Sequence, residues 1–239
     1  MSRITIFHTN DFHNKLTAEK AARLRRLKDS TPNSLLLDAG DAIWAGNIYF
    51  RPTGEPILKL MNDAGYDAMA MGNREFHFMS AGLRRKISWA KFPVLCANIR
   101  PTNDAELPVT SDVTFDIGGL MVVIFGLTVP MITERMLSRK VSSYVFDDPI
   151  EMASRIVPKL RKRADLLIAL THIGLAKDRE LANKIPGIDL IIGGHTHTFL
   201  DRSEIVGKTA IVQAGWFARQ VGKVEIESGG GVTSELLSL

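Results

Sequence analysis

The first half of the chain alternates short apolar runs with amphipathic stretches. Short apolar runs predict strands, and apolar positions that recur every three or four residues between capping residues predict helices. The predicted elements are strand Ile4–His8, helix Thr17–Asp29, strand Leu35–Asp38, helix Glu55–Ala64, strand Ala68–Met71 and helix Ser80–Ala90. This order of elements is typical of an α/β fold with parallel strands.

The second half adds further apolar runs and two predicted hairpins. Leu166–Ile168 and Leu190–Ile192 resemble Leu35–Leu37, and all three predict parallel strands that are buried on both faces. The predicted hairpins join Val113–Asp116 to Leu120–Leu127 and Ala210–Gln213 to Val221–Glu227. We therefore expect an α/β fold of two packed sheets with helices outside, forming a single domain of residues 1–239.

Composition and targeting signals narrow the class of protein. With 239 residues and 45% hydrophobic content, the chain can bury a large core. The single cysteine, Cys96, excludes an internal disulfide and a multi-cysteine metal site, and we expect it to be a small buried residue. The sequence shows neither a signal-peptide pattern nor an apolar run of the roughly 20 residues that a membrane span needs. We expect a soluble, cytoplasmic protein with no membrane contact.

The charge balance favours anionic ligands. The formal net charge is +4 and the pI is about 9.2, which would suit phosphate or nucleic acid. The basic residues cluster within Arg23–Lys28 and Arg155–Arg163, on amphipathic stretches where charge usually marks a solvated helix face. We therefore expect a small phosphorylated ligand and no nucleic-acid partner.

Side chains that commonly bind metals follow five of the predicted strands. In chain order these side chains are Asp11 and His13, Asp41, Asn73, His172, and His195 with His197. The carboxyl ends of parallel strands meet at one edge of a sheet, so we expect all seven side chains at one rim. A mixed set of imidazole and oxygen donors suits Zn, Mn, Fe or Co better than Ca or Mg.

Most of these residues have a simpler explanation when each is taken alone. Asp11 could be a turn residue, Asp41 a helix N-cap and His172 a hydrogen-bonded core histidine. The motif Gly193–His197 is more specific, because capping does not explain two histidines one residue apart at the end of a buried strand. The combination therefore carries more weight than its parts.

The ordered motifs resemble the calcineurin-like metallophosphoesterases, and within them the catalytic domain of bacterial 5'-nucleotidases and 2',3'-cyclic phosphodiesterases. The segments that carry the resemblance are His8–His13, Gly40–Ala42, Gly72–Phe76, Thr171–His172, Gly193–Thr198 and Ile211–Gly215. It implies a four-layer αββα sandwich of two mixed sheets. It also implies hydrolysis of a phosphate ester, with a nucleotide as one candidate substrate.

The resemblance further implies a centre of two divalent transition metal ions. One ion would be held by Asp11, His13, Asp41 and His197, and the other by Asp41, Asn73, His172 and His195, with Asp41 bridging. A hydroxide bound by both metals would attack the phosphorus atom directly. Asn73 and Arg74 would also contact the substrate.

One departure from the family pattern affects catalysis. Where the family usually has Gly-Asn-His-Glu-Phe-Asp, this chain has Gly72–His77, so Arg74 replaces the catalytic histidine and His77 its orienting aspartate. Arginine can neutralise phosphate charge but is a poor proton donor, and the alternative is that Arg74 only forms a surface ion pair. His77 could supply the missing proton, or it could be a helix-start residue. Both are candidate catalytic residues.

A second departure concerns substrate recognition. The family's nucleotidases hold the base with aromatic residues of a C-terminal nucleotide-binding domain, which we expect to be absent because the chain ends at Leu239. Trp44, Trp216 and Phe217 could stack on a substrate, or they could simply pack at the edge of the core.

Two alternatives to an active enzyme stay open. The chain could be a metal- and phosphate-binding module without turnover, or a catalytic subunit that needs a partner chain or a second copy.

Overall fold

The fold is taken from a computed structural model that describes residues 3–102, 104–227 and 231–239. Its elements are β1 (Arg3–Thr9), α1 (Ala18–Asp29), β2 (Ser34–Asp38), α2 (Pro56–Ala64), β3 (Ala68–Ala70), α3 (Ser80–Ile87), β4 (Val94–Leu95), β5 (Ile99–Pro101), β6 (Asp112–Ile117), β7 (Leu120–Thr128), β8 (Tyr144–Phe146), α4 (Pro149–Leu160), β9 (Leu166–His172), α5 (Leu175–Lys184), β10 (Leu190–Ile192), β11 (Glu204–Val206), β12 (Thr209–Val212), β13 (Gln220–Glu227) and β14 (Val232–Ser238). Short 3-10 helices lie at Leu137–Lys140 and Arg161–Arg163.

The described strands form two six-stranded sheets and a two-stranded ribbon. The first sheet has the order β14-β13-β1-β2-β3-β4, and the second has the order β11-β12-β10-β9-β7-β6. Strands β1 to β4 are parallel in the first sheet, and β7, β9, β10 and β12 are parallel in the second. Antiparallel strands complete each sheet, so both sheets are mixed, as predicted.

Three apolar clusters separate the layers. The central cluster lies between the sheets and joins residues of both, for example Leu37 and Ile168. A second cluster packs α1, α2 and α3 against the outer face of the first sheet, and a third packs α4 and α5 against the second sheet. Burial of apolar side chains on both faces of each sheet explains why the central strands are almost continuously apolar. The predicted αββα sandwich is therefore confirmed.

The helix boundaries agree closely with the sequence pattern. The Thr17 side chain accepts a hydrogen bond from the Lys20 backbone N–H and caps α1, and Gly65 caps the C-terminus of α2 in a left-handed conformation. Helix α3 ends at Ile87, three residues before the predicted end at Ala90. Within the described residues, no helix is both long enough and apolar enough to cross a bilayer.

One predicted hairpin is confirmed and the other is wrong. Strands β6 and β7 pair antiparallel across Gly118 and Gly119, as predicted. The predicted hairpin between Ala210–Gln213 and Val221–Glu227 does not form, because β12 pairs with β10 and β11 in the second sheet whereas β13 pairs with β1 and β14 in the first. The physical reason is that each strand buries its apolar side chains as part of a different sheet, and the chain between them crosses from one sheet to the other.

Candidate metal centre

The seven predicted ligands come from both sheets. Asp11, Asp41 and Asn73 follow the neighbouring strands β1, β2 and β3 of the first sheet. His172 ends β9, and the segment with His195 and His197 follows β10, its neighbour in the second sheet. The two sheets pack face to face, so the ends of these strands share one rim of the sandwich.

The backbone at this rim is unusual. Five of the predicted ligands have a left-handed backbone conformation, with φ of 53° at Asp11, 47° at His13, 57° at Asp41, 78° at His195 and 56° at His197. Residues other than glycine rarely adopt this region, and each instance costs on the order of 1–3 kcal/mol. The surrounding structure must hold these turns in place, as it does where Asp11 N–H donates to the Gly40 carbonyl over 2.9 Å. Such strain is typical of functional sites.

Two glycines allow the ligand segments to approach each other. A Cβ atom at Gly72 would lie 2.3 Å from both the backbone nitrogen and Oδ1 of Asp41. A Cβ atom at Gly194 would lie 2.8 Å from Nδ1 of His172. Any side chain at either position would therefore displace a predicted ligand.

A first donor cluster consists of Asp11, His13 and His197. The Nε2 atoms of His13 and His197 lie 3.4 Å and 3.3 Å from Oδ1 of Asp11, and they lie 3.2 Å from each other. One ligand atom from each residue lies within 4.8 Å of the other two. Two imidazole nitrogens and a carboxylate oxygen that converge in this way could hold a divalent transition metal.

A second donor cluster consists of Asp11, Asp41 and His172, again with ligand atoms within 4.8 Å of one another. His172 Nδ1 lies 2.8 Å from the Ala39 carbonyl oxygen, which can only accept, so Nε2 is the atom available to a cation. This Nε2 atom is fully buried, lies 3.5 Å from Oδ1 of Asp41 and has no hydrogen-bond partner among the described residues. A buried nitrogen without a partner beside a carboxylate fits a metal ligand.

The remaining predicted ligands lie at the open side of the second cluster. His195 Nδ1 is 3.1 Å from Oδ1 of Asn73, and the backbone N–H of His195 donates to Oδ2 of Asp11 over 2.9 Å. The rim therefore brings all seven predicted ligands together. Asp11 belongs to both donor clusters, so the expectation that Asp41 is the bridging ligand stays a prediction.

The charges in the site balance one another. Burial disfavours ionised Asp11, but hydrogen bonds from His13 and His197 hold the pKa of its carboxyl well below the usual range. Burial also disfavours charged His172, but the carboxylates of Asp41 and Asp11 outweigh it and raise the pKa of His172 to about 10. The carboxylates that favour a positive charge on His172 would also favour a bound cation beside it.

Glu75 organises the first-sheet side of the rim, and reasoning from ligand types did not single it out. Its buried carboxylate accepts hydrogen bonds from the backbone N–H groups of Gly72, Asp41 and Ile43 over 2.8, 2.9 and 3.2 Å. Burial, followed by the charge of Asp41, raises the pKa of Glu75 to about 7. Its position within the Gly72–Phe76 motif was the available sequence signal.

Lys86 fixes the neighbouring loops, and sequence reasoning missed it as well. The side chain is fully buried on α3, and its ammonium group donates to the carbonyl oxygens of Gly46, Arg74 and Phe76, each over 2.7 Å. Three donors meet three acceptors, which compensates for the burial of the charge. A lysine on an amphipathic helix usually faces solvent, so the sequence carried no signal for this role.

Amide side chains hold both sides of the rim. The Gln213 side chain accepts a hydrogen bond from the backbone N–H of Thr198 over 2.6 Å and donates one to the Gly194 carbonyl oxygen over 3.0 Å. These two hydrogen bonds fix both ends of the His195–His197 turn. Asn10 donates to Oδ2 of Asp11 over 2.7 Å. The chain thus orients its predicted ligands through hydrogen bonds of the kind that tune metal sites.

Asp178 supports the same turn from α5. It is fully buried, and its Oδ1 accepts a hydrogen bond from the Thr171 hydroxyl over 2.6 Å. Its Oδ2 has no hydrogen-bond partner in the described part of the chain and lies 2.3 Å from where a Cβ of Gly193 would be. Burial raises the pKa of Asp178 to about 7.

Arg74 lies at the edge of the donor clusters. Its backbone N–H donates to Oδ1 of Asp41 over 2.7 Å, and its Nε lies 3.4 Å from Oδ2 of the same carboxylate. Nη1 donates to the Trp44 carbonyl over 2.8 Å. The Arg74 side chain is 28% exposed, so the guanidinium is both anchored and accessible. Its contact with a substrate stays a prediction.

His77 has the contacts of a residue that precedes a helix. It is buried, and its Nδ1 accepts the backbone N–H of Met79 over 3.0 Å, one residue before α3 begins. Its ring packs against Gly82 in that helix and edge-on against Phe50 at 5.3 Å. These contacts favour the helix-start interpretation, and a catalytic role for His77 stays a prediction.

The candidate aromatic residues differ in their surroundings. Trp216 stacks on His197 with ring centroids 5.6 Å apart, and Phe217 meets His13 edge-on at 5.5 Å. Trp44 is 56% exposed.

Cys96 is buried, as predicted, and burial raises the pKa of its thiol to about 12.

Comparison with known proteins places this chain in a family. Residues 4–199 match the family model described as calcineurin-like phosphoesterase. The trifunctional nucleotide phosphoesterase protein YfkN of Bacillus subtilis is 34% identical in an alignment of 264 positions, gaps included, that covers 93% of this chain and 18% of that protein. Human 5'-nucleotidase is 32% identical in an alignment of 281 positions, gaps included, that covers 97% of this chain and 48% of the human protein.

Solved structures agree with the sequence comparison. The 5'-nucleotidase precursor of Thermus thermophilus has a TM-score of 0.83 and 26% identity, covering all of this chain and 55% of that one. This chain therefore belongs to the calcineurin-like phosphoesterases, and the predicted family is confirmed. It spans less than half the length of the two curated relatives named above. The expectation that a C-terminal nucleotide-binding domain is absent stays a prediction.

Proposed function

We propose that this chain is a metal-dependent hydrolase of phosphate esters, with nucleotides as its substrate class. The observation that carries the proposal is the pair of donor clusters around Asp11, in which the buried Nε2 of His172 lies unpartnered, within the described residues, beside Asp41. Two relatives with nucleotide phosphoesterase or 5'-nucleotidase names support the substrate class.

The donor set fits two divalent transition metal ions. Asp11, His13 and His197 would hold one ion, and Asp41, Asn73, His172 and His195 would hold the other, with a carboxylate shared between them. Such ions supply Lewis-acid chemistry, because they neutralise charge on a phosphoryl group and acidify water. The metals' number and identity are part of the proposal.

The chain's own residues would bind and orient the ester. The Arg74 guanidinium, already fixed by the Trp44 carbonyl and Asp41, would neutralise charge on the phosphoryl oxygens. Asn73, at the open side of the site, would donate an amide hydrogen bond to the same group. Arginine remains protonated at neutral pH, so Arg74 would stabilise charge and would not deliver a proton to the leaving group.

The test is a metal-reconstitution assay on purified protein. Protein stripped of metal and reloaded with Mn, Zn, Co or Mg is analysed for bound metal and assayed on mono-, di- and cyclic phosphate esters. We expect two transition-metal ions per chain and hydrolysis that depends on them. Asp41→Ala should lose metal and activity together, whereas Asp201→Ala, at an exposed carboxylate, should keep both. Full metal loading without turnover of any ester would instead support a binding module or a subunit that needs a partner chain.

A further inference from the structure

The three tryptophans of the chain all lie in the described part and differ in how their rings are covered. The Lys59 ammonium group lies over the Trp89 ring, 3.8 Å from the ring centroid. The Trp216 ring stacks on His197, and the Arg219 guanidinium carbon lies over the same ring, 4.7 Å from its centroid. Trp44 is the one that is more than half exposed, at 56%. The exposed ring lies three residues after the predicted metal ligand Asp41, where a bound substrate could cover it.

The exposed ring is held in place. Arg74 donates from Nη1 to the Trp44 carbonyl over 2.8 Å, and its guanidinium carbon lies 5.3 Å from the ring centroid. Lys86 binds the carbonyl oxygens of both Gly46 and Arg74, which ties the Trp44 segment to the Arg74 segment. The ring is therefore preorganised, so a ligand that stacks on it does not have to order the loop first.

The same arginine connects the ring with the donor clusters. Its Nε lies 3.4 Å from Oδ2 of Asp41, and its guanidinium reaches the Trp44 ring at the other end. A phosphoryl group that contacts this guanidinium would lie close to both the Asp41 carboxylate and the Trp44 ring. The organic part of such an ester would then be within reach of the exposed ring.

We propose that Trp44 is a stacking platform for the planar organic group of the substrate, so that the site selects nucleoside monophosphates by their base. This inference rests on the proposed phosphoesterase function and specifies its substrate. Stacking of a base on an aromatic side chain is sequence-tolerant, because every base presents a π-face. Trp44 thereby allows the segment that follows Asp41 to recognise the base of a nucleotide.

The catalytic test compares two substrates that differ only by the base, AMP and ribose 5-phosphate. In metal-loaded Trp44→Ala, kcat/KM for AMP should fall about 5- to 100-fold, mainly through KM, because one stacked base is lost. The value for ribose 5-phosphate should not change. Trp44→Phe should restore most of the loss, because phenylalanine also stacks. Ile205→Ala, at an exposed apolar residue on β11, is the matched control and should behave as wild type.

A binding measurement provides a second readout. AMP should quench the tryptophan fluorescence of wild type, ribose 5-phosphate should not, and the quenching should disappear in Trp44→Ala although Trp89 and Trp216 remain. An unchanged response to AMP in that variant, or an equal loss on both substrates, would overturn the platform. If wild type hydrolyses no phosphate ester, the proposed function fails, and the quenching titration still decides whether Trp44 binds the base.

Discussion

Lys86 donates a hydrogen bond from Nζ to the Arg74 carbonyl oxygen over 2.7 Å, although the lysine side chain is fully buried. The same ammonium satisfies the carbonyl oxygens of Gly46 and Phe76. One buried cation thus fixes the backbone positions of two loops at the edge of the donor clusters. Its removal leaves three carbonyl oxygens without their partner.

We expect Lys86→Met to lower the free energy of unfolding by about 2–4 kcal/mol, because three carbonyl groups lose hydrogen bonds to a charged donor. Chemical denaturation measures the change. Lys91→Met, at an exposed lysine, should have little effect, and Lys86→Arg should recover part of the loss. Equal stability of the Lys86 and Lys91 variants would show that the three contacts contribute nothing.

Gly72→Ala should weaken metal binding without removing any ligand. The added Cβ would lie 2.3 Å from Asp41 Oδ1, and overpacking of this kind costs about 1–3 kcal/mol. Gly46→Ala is the matched control, because a Cβ there meets nothing within 4 Å. Metal content after dialysis and the apparent metal affinity should fall in the first variant only. Full metal retention by Gly72→Ala would mean that the Asp41 side chain is not a ligand.

Arg74→His should change the choice of leaving group. A departing alkoxide needs a proton, whereas a nitrophenolate is stable enough to leave unaided, and general acid catalysis contributes about 10²–10⁴-fold. We expect wild type to have a higher kcat for p-nitrophenyl phosphate than for AMP, and Arg74→His to narrow the gap. Recovery should be partial, because His77 stands where the family has its orienting aspartate, and Arg74→His with His77→Asp should recover more. If Arg74→His instead slows both substrates, Arg74 acts mainly as a phosphate clamp.

Asp178→Asn should remove a pH dependence of stability. The folded-state pKa of about 7 lies above the ordinary value of 3.8, so the folded protein binds this proton more tightly than the unfolded chain does. Stability from this group is therefore full below pH 3.8 and is lost as the pH rises through about 7, by about 1–4 kcal/mol. Asparagine resembles the protonated acid, so the variant should be more stable than wild type at pH 8. Parallel stability curves for the two proteins between pH 4 and 8 would contradict this assignment.

Metal affinity should fall with decreasing pH. The pKa of His172 is raised to about 10, so its proton must leave before a cation binds, and a rising proton concentration opposes metal binding. A chelator titration between pH 5 and 8 measures the slope. Affinity that does not vary with pH would exclude histidine as the main ligand type.

The sequence predicted where the strands end and that the candidate ligands meet at one rim. It could do so because a buried parallel strand is a local apolar run and the polar residues directly follow it. His172 and the Gly193–His197 motif are examples, since each directly follows an apolar run. The separation of β12 and β13 into different sheets could not be predicted, because two strands joined by a short segment show the same alternation in a hairpin and in a crossover between sheets. Lys86 was missed for a similar reason, since its three partners come from loops that only the tertiary fold brings to α3.

The origin of the donors in two different sheets has a mechanical consequence. Asp11 and Asp41 extend from the first sheet, and His172 and His197 extend from the second. A cation bound by residues of both sheets would therefore cross-link the two sheets. Separation of the two sheets at this rim would require loss of the cation. A ligand that binds only the folded state stabilises that state by mass action. Release of such a cation would then require local opening of the rim, so we expect the metal to exchange no faster than the rim opens.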